Sequence, residues 1–129
     1  MRGIGMSKTV LIVDDSATQR LMLKKILKMI GLTDIVIKEA SNGKEALDII
    51  DKEPVSLVLT DLNMPTMSGE ELIATLKSQA STCRLPIIVI TSKGAENMQV
   101  EMTEVGIDGI LMKPFEPEQL ATLLQHLGE

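Results

Sequence analysis

Five short apolar runs, separated by segments with helical spacing, constrain the fold of this chain more than any other feature. The runs are rich in Val, Ile and Leu and cover residues 9–13, 35–40, 55–60, 86–91 and 109–112. Their length and β-branched content predict strands. Residues 10–13 are apolar without alternation, which is typical of a parallel strand that is buried on both faces.

Amphipathic patterns between these runs predict the helices. Leu23, Ile26, Leu27 and Ile30 lie at i, i+3, i+4 and i+7, and Gly31 follows as a stop signal. The same spacing recurs at residues 120–127, and shorter versions occur at 46–50 and 72–76. A further helix is predicted over 95–105, where the spacing is less regular.

Capping patterns mark three helix starts. Ser16 with Gln19 and Ser68 with Glu71 are capping-box pairs, and Asn42 with Glu45 is a close variant. Each pair lies between two predicted strands, which supports a strand–helix repeat.

A fivefold strand–helix repeat predicts an α/β fold with a doubly wound parallel sheet. Right-handed crossovers favour the flavodoxin-like (βα)5 arrangement with strand order 2-1-3-4-5. The 129 residues contain no linker or internal repeat. We expect an N-terminal tail over residues 1–6 and one domain over 7–129.

Composition excludes several functional classes. The net charge of −5, the lack of a basic run and a single aromatic residue, Phe115, argue against nucleic-acid binding. No apolar run is long enough for a membrane span or a signal peptide. The single Cys83 is compatible with a reducing compartment, and we expect a cytoplasmic monomer.

Polar residues follow four of the five predicted strands. Asp14 and Asp15 follow the first, Asp61 the third, Thr91 ends the fourth and Lys113 follows the fifth. Because parallel strands in this fold end at one edge of the sheet, we expect these side chains to meet in one crevice.

Three converging carboxylates would repel one another unless a cation lies between them. Mg²⁺ prefers carboxylate, water and phosphate oxygens, and no His or Cys lies near these strand ends to favour zinc. A magnesium site beside a lysine suits phosphoryl transfer, in which a carboxylate can itself be the nucleophile.

Residues 7–127 resemble a receiver domain of response regulators, of the CheY-like kind. The resemblance lies in the "DD" pair at 14–15, "DLNMPTMSG" at 61–69, "TS" at 91–92 and "KPF" at 113–115. Each motif is weak alone, but the ordered set across nearly the whole chain is specific.

The resemblance implies a role for each polar residue at the strand ends. Asp61 would accept a phosphoryl group, and Lys113 would pair with one of its oxygens. Asp14 and Asp15 would bind Mg²⁺ together with Asp61 and the backbone carbonyl of Asn63. The protein would be a phosphoacceptor switch that catalyses its own phosphorylation and dephosphorylation, and not a conventional enzyme.

The resemblance also implies how the signal passes on. A histidine kinase or a His phosphotransfer protein would supply the phosphoryl group, and residues 95–127 would contact a downstream protein. Thr91 would bond the phosphoryl group and shift on activation. Ile110 stands at the switch position where relatives with a strong aromatic switch have Tyr or Phe, so the resemblance does not extend to an aromatic gate.

Other functions remain open at this point. A magnesium-dependent aspartyl phosphatase would need a general acid two residues after Asp61, where Asn63 stands. A flavin or nucleotide carrier would need a phosphate-binding loop after the first strand, which is absent. A receiver-like interaction module that works without phosphorylation stays possible because of Ile110.

Overall fold

The computed structural model describes residues 8–62, 64–92 and 106–127, and these residues form five strands and four helices. The strands are β1 (Lys8–Val13), β2 (Ile35–Ala40), β3 (Leu57–Thr60), β4 (Ile87–Thr91) and β5 (Gly109–Met112). The helices are α1 (Ala17–Met29), α2 (Gly43–Lys52), α3 (Gly69–Lys77) and α4 (Pro117–Leu127). The predicted tail over 1–6 and the predicted helix over 95–105 lie outside the described residues.

The strands form one parallel sheet in the order β2-β1-β3-β4-β5. This confirms the predicted doubly wound α/β fold and its strand order. No helix in the described part of the chain combines the length and the apolar content that crossing a bilayer requires.

Two apolar clusters, one on each face of the sheet, form the core. Val10, Ile12, Leu59 and other alternate residues of the strands pack against α1 and α4. The intervening residues, such as Leu11 and Val58, pack against α2 and α3. The central strands are therefore buried on both faces, as their unbroken apolar sequence predicts.

Three strand starts differ from the prediction. β1 begins at Lys8 and not at residue 9, β3 begins at Leu57 and not at residue 55, and β4 begins at Ile87 and not at Pro86. Proline lacks an N–H, so Pro86 joins the ladder only through its carbonyl, which accepts from the Val58 N–H at 3.0 Å.

The predicted N-cap residues cap all three helices, but only the pair at α3 forms the reciprocal capping box. Ser16 accepts from the Gln19 N–H, and Asn42 accepts from the Glu45 N–H. Ser68 and Glu71 form the reciprocal capping box of α3. Each cap fixes where a helix begins: Ser16 and Asn42 lie close to the preceding strand end, whereas Ser68 follows the longer loop after β3.

We expect Leu59→Ala to lower the free energy of unfolding by about 2–5 kcal/mol, because Leu59 is fully buried in the α1–α4 cluster and its loss leaves a cavity. Urea unfolding followed by far-UV circular dichroism measures this, since the chain has no Trp or Tyr. The control is Leu21→Ala, whose side chain is 49% exposed, with an expected change within about 0.5 kcal/mol. Equal losses in the two variants would contradict this description of the core.

Candidate functional site

The sheet brings the residues that follow β1, β3 and β5 to one edge. Beyond the strands, the Asp61 N–H donates to the Val13 carbonyl at 3.0 Å, and the Lys113 N–H donates to the Thr91 carbonyl at 2.8 Å. Parallel pairing thus continues one residue past β3 and β5. This continuation fixes where the Asp61 and Lys113 side chains leave the backbone.

Lys113 joins the two carboxylates at this edge. Its Nζ lies 3.1 Å from Asp14 Oδ2 and 3.2 Å from Asp61 Oδ2. The Lys113 side chain is 17% exposed, that of Asp14 is 4% exposed and that of Asp61 is 12% exposed. One ammonium therefore offsets the repulsion between two largely buried carboxylates.

The surroundings keep Lys113 charged. Burial alone would lower the pKa of Lys113, but the hydrogen bond and charge of Asp14 and the charge and hydrogen bond of Asp61 outweigh it. The net result is a pKa raised above the ordinary value of 10.5. Lys113 is therefore a fixed positive charge at neutral pH.

Backbone N–H groups hold the second oxygen of each carboxylate. The Ser16 N–H donates to Asp14 Oδ1 at 2.9 Å, and the Leu62 N–H donates to Asp61 Oδ1 at 2.6 Å. Each carboxylate thus has one oxygen bonded to backbone and the other directed at the ammonium. Both side chains are oriented before any ligand arrives.

A cavity of about 550 Å³ opens onto these groups. Its polar lining includes Asp14, Asp15, Asp61, Ser92 and Lys113, and its apolar lining includes residues of α1 and the start of the β5–α4 connection. Asp15 is exposed at this opening. The site can therefore admit a small anionic group beside the shared ammonium.

The carboxylates of this site are the candidate ligands for the predicted magnesium ion. Among the described residues, no three His, Cys, Asp or Glu side chains form a group that could hold a metal by themselves. Asp14 and Asp61 converge on one cation, the Lys113 ammonium, whereas the exposed Asp15 lines the same cavity without completing a three-carboxylate group. Mg²⁺ is usually held by one or two carboxylates plus waters and phosphate oxygens, so this pair fits that ion. Asn63, the fourth predicted ligand, lies outside the described residues.

Thr91 and Ile110 lie on neighbouring strands beside the site. Thr91 ends β4 and is fully buried. Ile110 is half-buried in β5, pairs in register with Val89 and packs against the cluster under α2 and α3. The two proposed switch residues are therefore embedded in the sheet.

Gly69 is a site-shaping residue whose structural role the sequence pattern does not identify. Its N–H donates to the Leu62 carbonyl at 2.9 Å. A Cβ at this position would overlap the Asp61 carbonyl oxygen and lie 2.8 Å from Leu62 Cα. Only glycine lets α3 begin this close to the loop that carries Asp61.

Known proteins resemble this chain over most of its length. The family model described as the response regulator receiver domain matches residues 10–125. The chain is 35% identical to the chemotaxis protein CheY homolog of Campylobacter jejuni, over 90% of this chain and 88% of that protein. It is 40% identical to the phosphate regulon transcriptional regulatory protein PhoB of Pseudomonas aeruginosa, over 92% of this chain and half of that protein.

A solved structure shares the fold as well. The chemotaxis response regulator CheY4 of Vibrio cholerae superposes with a TM-score of 0.81 at 33% identity. The match covers 95% of this chain and 99% of that one. The similarity therefore extends over essentially the whole of both chains.

We expect the Lys113 ammonium to titrate above pH 10.5, because two carboxylates stabilise its charged form. Its contribution to stability is then present below the unfolded pKa of about 10.5 and is lost as pH rises through the higher folded value. The ¹³Cε shift of Lys113, assigned with Lys113→Met, gives the midpoint. Asp61→Asn should move the midpoint down, and an unchanged midpoint would contradict the bridge.

We expect Gly69→Ala to displace the Asp61 loop and to lower the free energy of unfolding by about 1–3 kcal/mol, because the new methyl group meets backbone atoms. Amide NMR shifts of Asp61 and Leu62 report the displacement. The control is Gly109→Ala, where the nearest atoms to the new methyl group belong to the Leu123 side chain and not to the Asp61 loop. Unaltered Asp61 and Leu62 shifts in Gly69→Ala would refute the close approach.

Proposed function

Because the chain belongs to the response regulator receiver family, we propose that Asp61 is its phosphoacceptor and that phosphorylation there is the switch. The chain is a CheY-like receiver domain, the phosphorylation-activated element of a two-component system. The observation that carries the proposal is the Lys113 ammonium shared by Asp61 and Asp14.

Exposure favours Asp61 over Asp14 as the nucleophile. Both carboxylates contact Lys113, but the Asp61 side chain is 12% exposed and that of Asp14 only 4%. Both carboxylates line the cavity, and Asp61 presents the larger accessible area to an incoming phosphoryl group. The buried Asp14 is better suited to hold a cation.

In the proposed reaction, Asp61 attacks the phosphorus of a phosphohistidine on a histidine kinase or a His phosphotransfer protein. The O–P bond forms as the P–N bond breaks, and the imidazole nitrogen keeps the electron pair. Lys113 neutralises charge on the transferring oxygens. The same groups orient water for later hydrolysis, so the domain catalyses its own phosphorylation and dephosphorylation.

We assign Mg²⁺ to Asp14, Asp15, Asp61 and the backbone carbonyl of Asn63. When bound, the ion supplies a second positive charge for the phosphoryl oxygens. The support is the convergence of the Asp14 and Asp61 carboxylates on a single cation, with Asp15 lining the same cavity.

We propose that Thr91 and Ile110 carry the signal away from Asp61. A phosphoryl group on Asp61 draws the Thr91 hydroxyl towards it, and Ile110 repacks into the space that Thr91 leaves. The outcome is a changed surface over residues 95–127, of which 106–127 are described, and a changed affinity for a target protein. Met112 is an exposed apolar side chain on that surface.

We expect wild-type protein incubated with acetyl phosphate to gain one phosphoryl group in Mg²⁺ and none in EDTA. Intact-mass spectrometry measures the gain. Asp61→Asn should abolish it, because the amide is a far poorer nucleophile than the carboxylate. The control is Asp48→Asn, the same substitution at an exposed position of α2, which should behave as wild type.

Two results would overturn the proposal. A gain retained in Asp61→Asn would move the phosphoacceptor elsewhere. No gain in wild type, with Mg²⁺ binding shown separately by calorimetry, would favour an interaction module that works without phosphorylation.

A further inference from the structure

Arg20 of α1 reaches back to the backbone of Asp14. Its Nη1 donates to the Asp14 carbonyl at 2.6 Å, and its Nε lies 2.9 Å from Glu39 Oε1. The second oxygen of Glu39 lies 2.9 Å from Lys24 Nζ. The Arg20 side chain is largely buried, so this guanidinium is held in one position between α1 and β2.

Glu39 and Asp14 are linked by the sheet as well as by Arg20. The Asp14 N–H donates at 3.1 Å to the carbonyl of Ala40, the residue after Glu39. Both backbone groups of Asp14 are thus held from β2, one directly and one through Arg20. With its Oδ1 held by the Ser16 N–H, Asp14 has little freedom to turn its carboxylate.

The charges on Arg20, Glu39 and Lys24 indicate that Arg20 acts on Asp14 by positioning it and not through its own charge. Hydrogen bonds from Lys24 and then Arg20 lower the pKa of Glu39, so its carboxylate stays ionised. The paired Glu39 offsets the charge of Arg20. Arg20 therefore repels a cation at Asp14 weakly, while its hydrogen bond still fixes the backbone that aims Asp14.

We propose that Arg20, clamped by Glu39, is a positioning residue that orients Asp14 and thereby sets the affinity of the site for Mg²⁺. The inference rests on the proposed function, since it takes Asp14 as a magnesium ligand. Groups that orient a metal ligand without touching the metal typically change metal affinity by 10- to 100-fold when removed.

The test measures the Mg²⁺ dissociation constant of unphosphorylated protein by titration calorimetry, with far-UV circular dichroism to establish that each variant is folded. We expect Arg20→Met to weaken Mg²⁺ binding by about tenfold and Glu39→Gln by less. The double variant should match Arg20→Met alone, because Glu39 acts through Arg20. The control is Lys24→Gln, which loses a bond to the same Glu39 carboxylate but keeps the bond from Arg20 to Asp14. This variant should bind Mg²⁺ as wild type does.

Unchanged or tighter Mg²⁺ binding in folded Arg20→Met would overturn the inference. If Arg20→Met fails to fold, unchanged binding in Glu39→Gln overturns it instead. A wild type that binds no Mg²⁺ overturns both this inference and the magnesium assignment. A wild type that binds Mg²⁺ and is phosphorylated, with variants that bind equally well, overturns the inference alone.

Discussion

The bridge from Lys113 to Asp14 and Asp61 is the interaction on which the site depends. Its three residues follow three different strands, and the lysine side chain passes the end of β4 to reach the carboxylates. Two largely buried carboxylates this close would be costly without a positive partner. The strand order therefore brings the lysine to the two carboxylates as well as letting the helices pack on the sheet.

Hydrogen bonds from the backbone hold the carboxylates of the site in fixed orientations. The Ser16 and Leu62 N–H groups hold one oxygen of each carboxylate, which leaves the other for a cation. The close approach of Gly69 also fixes the loop that carries Asp61, the proposed phosphoacceptor. The reacting groups are thus held at the ends of strands and the starts of helices. Because these elements belong to a fully packed sheet, the groups are not easily displaced.

The residues that stabilise the fold and the residues that form the site lie in different parts of this molecule. The strand interiors are apolar on both faces and carry the packing energy, whereas the polar groups of the site are concentrated just past the strand ends. Arg20 connects these regions, since it extends from α1 to the first residue after β1.

The sequence by itself determined the strands, most helices, their caps and the polar strand ends, because periodicity and capping are local properties of neighbouring residues. Right-handed crossovers restricted the strand order to few arrangements, of which the flavodoxin-like one is common, and the resemblance to receiver domains supplied the expected roles. Only the tertiary structure decided that Lys113 bridges Asp14 and Asp61, that Gly69 lies against the Asp61 carbonyl, and that Arg20 holds Asp14. In the sequence, Arg20 is indistinguishable from a solvated helix charge. Its partner Glu39 is 19 residues away, and such contacts exist only once the sheet has brought the strands together.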